Sequence, residues 1–323
     1  MSSLPIVVIS GSIAIDRIMN FDGYYKDVIK PDKIHLLSIS LLLKDLKNSE
    51  GGVAANIAYS LALLQDKPVL LGSVGIDSTN YIHKLNALGI DTSSIYFSKL
   101  NTASFNVITD LDNNQFGGFY PGAMADNQTI SFRKWKNQNA LFVVSPNDPK
   151  LMDRLVAECR EYKLRMFYDF GQQVSNLPAS SLKRGVENAE LIIANDYEIA
   201  TLLDKLNMTV KELNSKISVL VTTLGDKGAI ITGNKVGKQI SIKPAKPTKV
   251  IDPTGAGDAF RSGFLYGYIR KFDLQTCGQL ASTSAVYAVE TYGTQQHYFN
   301  IDMFAKRYFA NYHCPLPVVN KDN

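Results

Sequence analysis

Residues Val250–Tyr268 read VIDPTGAGDAFRSGFLYGY, turn chemistry that runs directly into a helix. Asp252-Pro253 favours an extended residue followed by a turn, and Gly255 and Gly257 permit backbone conformations that a side chain forbids. Ala259, Phe260, Gly263, Phe264 and Gly267 then recur at three- and four-residue spacing, which predicts a helix with an apolar, small-residue face. With no bulky side chains over them, the N–H groups of Gly255, Ala256 and Gly257 form an anion cradle at the positive end of that helix, and the expected anion is a phosphate. A carboxylate in such a cradle repels phosphate, so Asp258 needs its own explanation. As a general base it takes the proton from an alcohol attacking a terminal phosphoryl group, while the amides stabilise the charge that develops. Arg261, three residues on, shares a face with Asp258 and is placed to clamp the transferred group. The plainer alternative is a helix N-terminus whose acid merely suits the dipole; turn, glycines, acid and arginine occurring together favour the phosphate site.

DPTGAGDAF resembles the signature of the ribokinase-like, or PfkB, family of carbohydrate and nucleoside kinases. The resemblance implies an α/β fold, a doubly wound and mostly parallel sheet flanked by helices, with a small β-sheet lid, and it implies ATP and Mg2+. It extends along the chain. Glu50-Gly51-Gly52 opens the helical run VAANIAYSLALLQ, and GGVAAN matches the family's second signature, which makes Gly52 and Asn56 substrate residues and leaves Gly51 to the turn. Asp16, in GSIAID after the first strand, matches the acid that holds substrate hydroxyls; read alone it is a turn or capping residue. Asn195-Asp196-Tyr197-Glu198 matches the family's N-x-x-E pattern, with Glu198 as an oxygen ligand for hydrated magnesium and Asn195 holding a water or phosphate oxygen. The same spacing is that of a reciprocal helix cap. The turn Thr223-Leu224-Gly225-Asp226-Lys227-Gly228 lies by resemblance against the nucleotide phosphates, with Thr223, Gly225 and Gly228 as contacts. Ala285 and Gly293 leave room for adenine, or are simply small residues for helix packing. Some relatives hold K+ near the position of the Asp252 turn, an expectation the residues themselves do not support.

The rest of the sequence alternates strand and helix. Ile6–Ile9 is a continuous apolar run that suits a buried parallel strand. Further strands are expected at Val69–Val74, Ala140–Ser145, Arg165–Tyr168, Leu191–Ala194 and Val219–Thr222, with helices between them, the pattern of a parallel sheet covered on both faces. One kinase domain over 1–323 is expected, with a lid built from about 14–50 and 95–122. In the first lid segment the alternation of Ile34 with Leu36 and of Ile39 with Leu41 predicts strands, and His35 is a candidate to touch a nucleobase or else a surface or packing residue. In the second, Thr102–Thr109 and Gln115–Tyr120 flank the turn cluster 112–114 and predict a hairpin. Phe105, Phe116 and Phe119 are candidates to stack on a base, one of the three at most. Asp169-Phe170-Gly171-Gln172 stands at a strand end where relatives carry Asp-Pro-Gly, and Phe170 departs from that pattern.

Composition bounds the partners. The 323 residues are 45% apolar with a net charge of +4 and no dense basic tract, which argues against nucleic acid. Cys159, Cys277 and Cys314 are too sparse for a disulfide scaffold, and the four histidines have no metal-ligand spacing. The N-terminus lacks a basic leader and no apolar run is long enough to span a bilayer, so the expectation is a cytoplasmic protein without a membrane partner, monomer or homodimer. Residues after Cys314 read as a frayed tail. The resemblance, which in the lid segments is to adenosine-kinase-like members of the family, implies transfer of the γ-phosphoryl group of ATP to the 5′-hydroxyl of a purine nucleoside such as adenosine. A ribose- or fructose-type sugar kinase is the alternative, and a non-catalytic nucleoside or sugar sensor a third.

Overall fold

The strands run in order β1 Ile6–Ser10, β2 Ala14–Phe21, β3 Leu43–Gly51, β4 Val69–Leu71, β5 Ser73–Gly75, β6 Tyr96–Ser98, β7 Ala103–Thr109, β8 Gln115–Tyr120, β9 Ala140–Val144, β10 Arg165–Tyr168, β11 Leu191–Asn195, β12 Val219–Thr223, β13 Ala229–Thr232 and β14 Ile240–Ile242. The structure is a computed structural model and describes residues 4–36, 38–112 and 114–317. Asn113 of the expected turn cluster and the expected tail from 318 onward lie outside the described residues.

The main sheet has eight strands in the order β14-β13-β12-β11-β10-β9-β1-β4, parallel from β12 to β4, with β13 and β14 antiparallel at one edge. Its central strands are mostly apolar because both faces are covered. Val7, Ile9, Leu141 and Val143 enter one core with the helices Val53–Leu63, Ala256–Ile269 and Leu274–Val289. Val8, Phe142 and Val144 alternate into the other, with the helices Pro149–Glu161, Ala179–Asn188 and Asp196–Leu206. The helix Ala256–Ile269 is buried on nearly every side from Ala259 to Gly267, more than the single face its spacing predicts. A Cβ on Gly263 would stand 2.5 Å from the Leu280 carbonyl oxygen, so glycine there sets how closely the last two helices of the first core approach.

A second, four-stranded sheet in the order β3-β2-β7-β8 forms the lid. The hairpin β7–β8 matches expectation, but the first lid segment differs. In place of strands at Ile34–Leu41 there is a short helix Tyr25–Val28 and a 3-10 turn Pro31–Leu36, and the strand follows at Leu43–Gly51. Pro31 fixes a helical φ at the first position of a turn and Asp32 suits its dipole, which overrides two-residue alternation. The expected strand Val69–Val74 is likewise split at Gly72. β4 stays in the main sheet while β5 pairs with β6, and a Cβ on Gly72 would stand 2.8 Å from Ile13 Cδ1.

Candidate active site

The carboxyl ends of β1, β9 and β10, the Gly255 turn and the inner face of the lid enclose a cleft of about 500 Å³, where open α/β sheets bind ligands. Asp258 lies in its wall, on the first turn of the helix Ala256–Ile269, with Gly255 as N-cap at φ 81° and ψ −5°. That left-handed conformation favours glycine. A Cβ there would also press to 3.1 Å against the Thr294 side chain. The first-turn amides that the sequence assigns to an anion thus start beside the cleft, with Asp258 13% exposed.

Asp258 receives a hydrogen bond from Asn56 Nδ2 at 2.8 Å, and Arg261 Nη1 stands 3.7 Å from its other oxygen. Burial raises its pKa above the usual carboxylate range; Arg261 and Asn56 oppose this and the Glu198 charge adds to it. Asn56 is itself buried, and its Oδ1 accepts from Gln295 Nε2 at 2.8 Å. Asn56, expected as a substrate ligand, lines the cleft, and its amide also bonds Asp258 and Gln295. Arg261 also differs from a free clamp. Its Nη2 donates to Asp169 Oδ1 at 2.8 Å, and both residues are buried. Asp169, at the end of β10, has its pKa raised to about 7 by burial, with Glu198 and Asp258 adding and Arg261 opposing.

Asp16, on β2, faces the cleft with no hydrogen-bond donor on its carboxylate among the described residues. Burial, with the charges of Asp252 and Asp258 adding, raises its pKa to about 6. Gly51 lies under it, since a Cβ there would stand 2.9 Å from Asp16 Oδ2. Gly52 also lines the cleft; it has φ 96°, and a Cβ would stand 2.5 Å from the Ser12 carbonyl oxygen, so its smallness serves the close approach of this chain segment to the β1–β2 turn.

The aromatic candidates separate by strand face. Phe105 and Phe119 are register partners on β7 and β8 and both line the cleft. Phe116, three residues from Phe119, falls on the opposite face by the two-residue period, where its ring meets Tyr25 edge-on at 5.2 Å. His35 sits exposed on the 3-10 turn and is not among the residues lining the cleft. Phe170 is fully buried beside Tyr168. An amide-rich wall of Asn147, Gln172, Gln173 and Asn176 was not foreseen beyond the strand-end position of Gln172. Gln295, which the resemblance implies only as the end of a segment closing the nucleotide pocket, meets Asn56 and Tyr81; Tyr81 was missed as a site residue, and nothing local in its sequence marks it.

Asn195 and Glu198 form the reciprocal cap: Glu198 N donates to Asn195 Oδ1 at 2.7 Å and Asn195 N donates to Glu198 Oε2 at 2.9 Å. The second oxygen of Glu198 is left outside the cap. Asn195 pairs in register with Thr223, which brings the N-x-x-E and T-x-G turns side by side at adjacent strand ends. Gly225 and Gly228 have φ of 61° and 91°, and a Cβ on Gly228 would collide with the Ile242 carbonyl. Ala285 is the one residue from 281 to 288 that is not buried. Gly293 donates its N–H to Asp252 Oδ2 at 3.0 Å, and Thr254 donates to Asp252 Oδ1 at 2.9 Å, tying the two ends of this surface together. No helix among the described residues is long and apolar enough to cross a membrane.

Known proteins share this fold. A nucleoside kinase from Methanothermobacter thermautotrophicus is 32% identical over 315 residues, covering 95% of this chain and 97% of its own. The nucleoside kinase of Burkholderia thailandensis in complex with inosine superimposes with a TM-score of 0.83 at 31% identity, covering 96% of this chain and 99% of its own. The Methanocaldococcus jannaschii nucleoside kinase does so with 0.85 at 27%, covering 96% and 100%. Residues 13–299 match the pfkB family carbohydrate kinase profile. The chain belongs to the pfkB family of carbohydrate kinases and is a phosphotransferase with an alcohol group as acceptor.

Proposed function

We propose that the chain transfers the γ-phosphoryl group of ATP to the 5′-hydroxyl of a purine nucleoside. The observation that carries this is the make-up of one cleft: the Asp258 carboxylate beside the Gly255 cap, the donor-free Asp16 carboxylate, and the paired rings of Phe105 and Phe119. Asp16 accepts hydrogen bonds from the ribose hydroxyls, the rings and the amide wall take the base, and Asp258 removes the proton from the attacking hydroxyl. The amides of Gly255, Ala256 and Gly257 stabilise charge on the phosphoryl group in flight. Arg261, held by Asp169, supplies the positive charge that keeps Asp258 ionised and faces the transferred group. Thr223, Gly225 and Gly228 take the ATP phosphates, with Ala285 and Gly293 beside the adenine. The Burkholderia relative is described in complex with ADP and inosine, which supports this pairing of ligands.

Magnesium fits the donor set, because Glu198 keeps an oxygen outside its cap and Asn195 a carbonyl lone pair, both hard ligands. When bound, the ion neutralises phosphate charge. Both oxygens of Asp252 already accept backbone N–H groups, so potassium is proposed on resemblance alone and is tested by exchange for sodium.

The test is a panel of adenosine, inosine, cytidine, ribose and fructose, followed as phosphorylated product, in wild type and Asp258→Asn. We expect adenosine or inosine to have the highest kcat/KM, and Asp258→Asn to lose about two to four orders of magnitude in kcat with ATP affinity kept. A free sugar preferred by the wild type moves the acceptor to the sugar-kinase alternative; unchanged turnover in Asp258→Asn removes it as base.

A further inference from the structure

Asp258 sits at the end of a hydrogen-bond chain whose other end is a backbone carbonyl. Tyr81 OH donates to the Gly51 carbonyl oxygen at 2.9 Å. Gln295 Nε2 donates to Tyr81 OH at 2.6 Å and to Asn56 Oδ1 at 2.8 Å. Asn56 Nδ2 donates to Asp258 Oδ2 at 2.8 Å. Tyr81, Gln295 and Asn56 are all buried, so water does not replace a missing partner.

The carbonyl decides the direction of the whole chain. A carbonyl only accepts, so the single Tyr81 proton points at Gly51 and the phenol oxygen must accept from Gln295. That requires the Gln295 amide nitrogen, not its oxygen, to face Tyr81. The same nitrogen then donates its second proton to Asn56 Oδ1, which turns the Asn56 nitrogen toward Asp258. The reverse orientation is self-consistent only if Asp258 carries a proton to give to Asn56 Oδ1, and it forfeits the bond to Gly51.

We propose that Gln295, anchored through Tyr81 on the Gly51 carbonyl, is a positioning residue that fixes the Asn56 amide as a donor to Asp258 and so holds the base in its proton-accepting form. The proposal rests on Asp258 being the base. Other charges facing Asp258 are Arg261 on its own helix, Glu198 from the helix Asp196–Leu206, Asp16 from β2 and Asp169 at the end of β10. Three of these four are acids that disfavour ionisation, which leaves Arg261 and the Asn56 donor as the groups favouring it.

The experiment measures kcat, both KM values and the pH profile of kcat for wild type, Tyr81→Phe, Gln295→Met, Gln295→Glu and Asp258→Asn, with melting temperatures alongside. Tyr81→Phe removes the anchor and keeps the ring. Gln295→Met keeps the length and removes both donors, and Gln295→Glu offers Asn56 an acceptor, which reverses the relay. We expect kcat to fall about threefold in Tyr81→Phe and about tenfold or more in Gln295→Glu, with Gln295→Met between them. Both KM values should change less than twofold and the acid limb of kcat should move to higher pH in the same order. If Tyr81→Phe and Gln295→Met keep the wild-type kcat and acid limb while Asp258→Asn abolishes turnover, the relay is refuted and the base stands. Losses that follow melting temperature or raise KM in proportion also refute it, as packing. If Asp258→Asn itself turns over normally, the base assignment fails first and the relay with it.

Discussion

Asp16 is ionised in the cleft at the expense of the fold. Its pKa is raised from 3.8 to about 6, chiefly by burial and then by Asp252 and Asp258. Below about pH 3 the group is neutral in folded and unfolded chains alike. Between there and pH 6 the unfolded chain ionises first, so stability falls as pH rises, by about 3 kcal/mol in all. Asp16→Asn removes that penalty while keeping the shape. Its melting temperature should exceed the wild type by a few degrees at pH 8, and the difference should vanish by about pH 3. The same variant loses the anionic acceptor for two hydroxyls, so its KM for nucleoside should rise about tenfold or more. Thermal melts across pH, paired with acceptor kinetics, check both halves. A variant less stable than wild type at pH 8 would show that Asp16 is held by protein donors and not kept free for a ligand.

The lid strands sort their aromatics by face, and this sets a prediction for β7 and β8. Phe105 and Phe119 are partly exposed toward the cleft, and Phe116 packs on Tyr25 behind it. Stacking on a base contributes about 1–3 kcal/mol, so Phe105→Ala and Phe119→Ala should each weaken nucleoside binding by about ten- to a hundredfold and leave ribose binding unchanged. Phe116→Ala should alter stability without altering the ratio of the two, as titration of both ligands would show; equal losses for ribose would move the base contact to the amide wall. Phe116 and Phe119 are indistinguishable by composition, and only the pleat, once the strand register is known, separates them. Elements whose signal is local were legible in the same way that the helix Val53–Leu63 was, from spacing and a glycine start. The first signature, the GAGD turn and the alternating second half were legible for that reason. Strand β3 was not: LKDLKNSEG is polar and is extended because it pairs with β2, a partner about thirty residues away. The bonds of Gln295 were not legible for a similar reason, because its partners Asn56 and Tyr81 are 239 and 214 residues distant.

Across the whole molecule, the cleft is closed by parts that the chain brings together late. Asp16 and the rings of Phe105 and Phe119 belong to the lid sheet, while Asn147, Gln173 and Asp258 belong to the loops and helix of the main sheet. A ligand that touches both sheets ties them together, and one that reaches only the ribose site does so less. Binding to the folded state stabilises by an amount set by ligand concentration over Kd, about 2.7 kcal/mol at a hundredfold excess. At one fixed millimolar concentration, adenosine and ribose should therefore differ in stabilisation by the stacking and amide contacts alone, about 1–3 kcal/mol, or a few degrees in a chain of this size. The comparison is a thermal melt of the wild type and of the Phe105→Ala/Phe119→Ala double variant with each ligand. The wild type should melt higher with adenosine than with ribose, and the double variant should bring the adenosine curve down toward the ribose curve while leaving the ribose curve in place. Were ribose to stabilise the wild type as much as adenosine does, the lid would be closing on the sugar alone, and the acceptor would be a free sugar on an otherwise unchanged phosphoryl-transfer site.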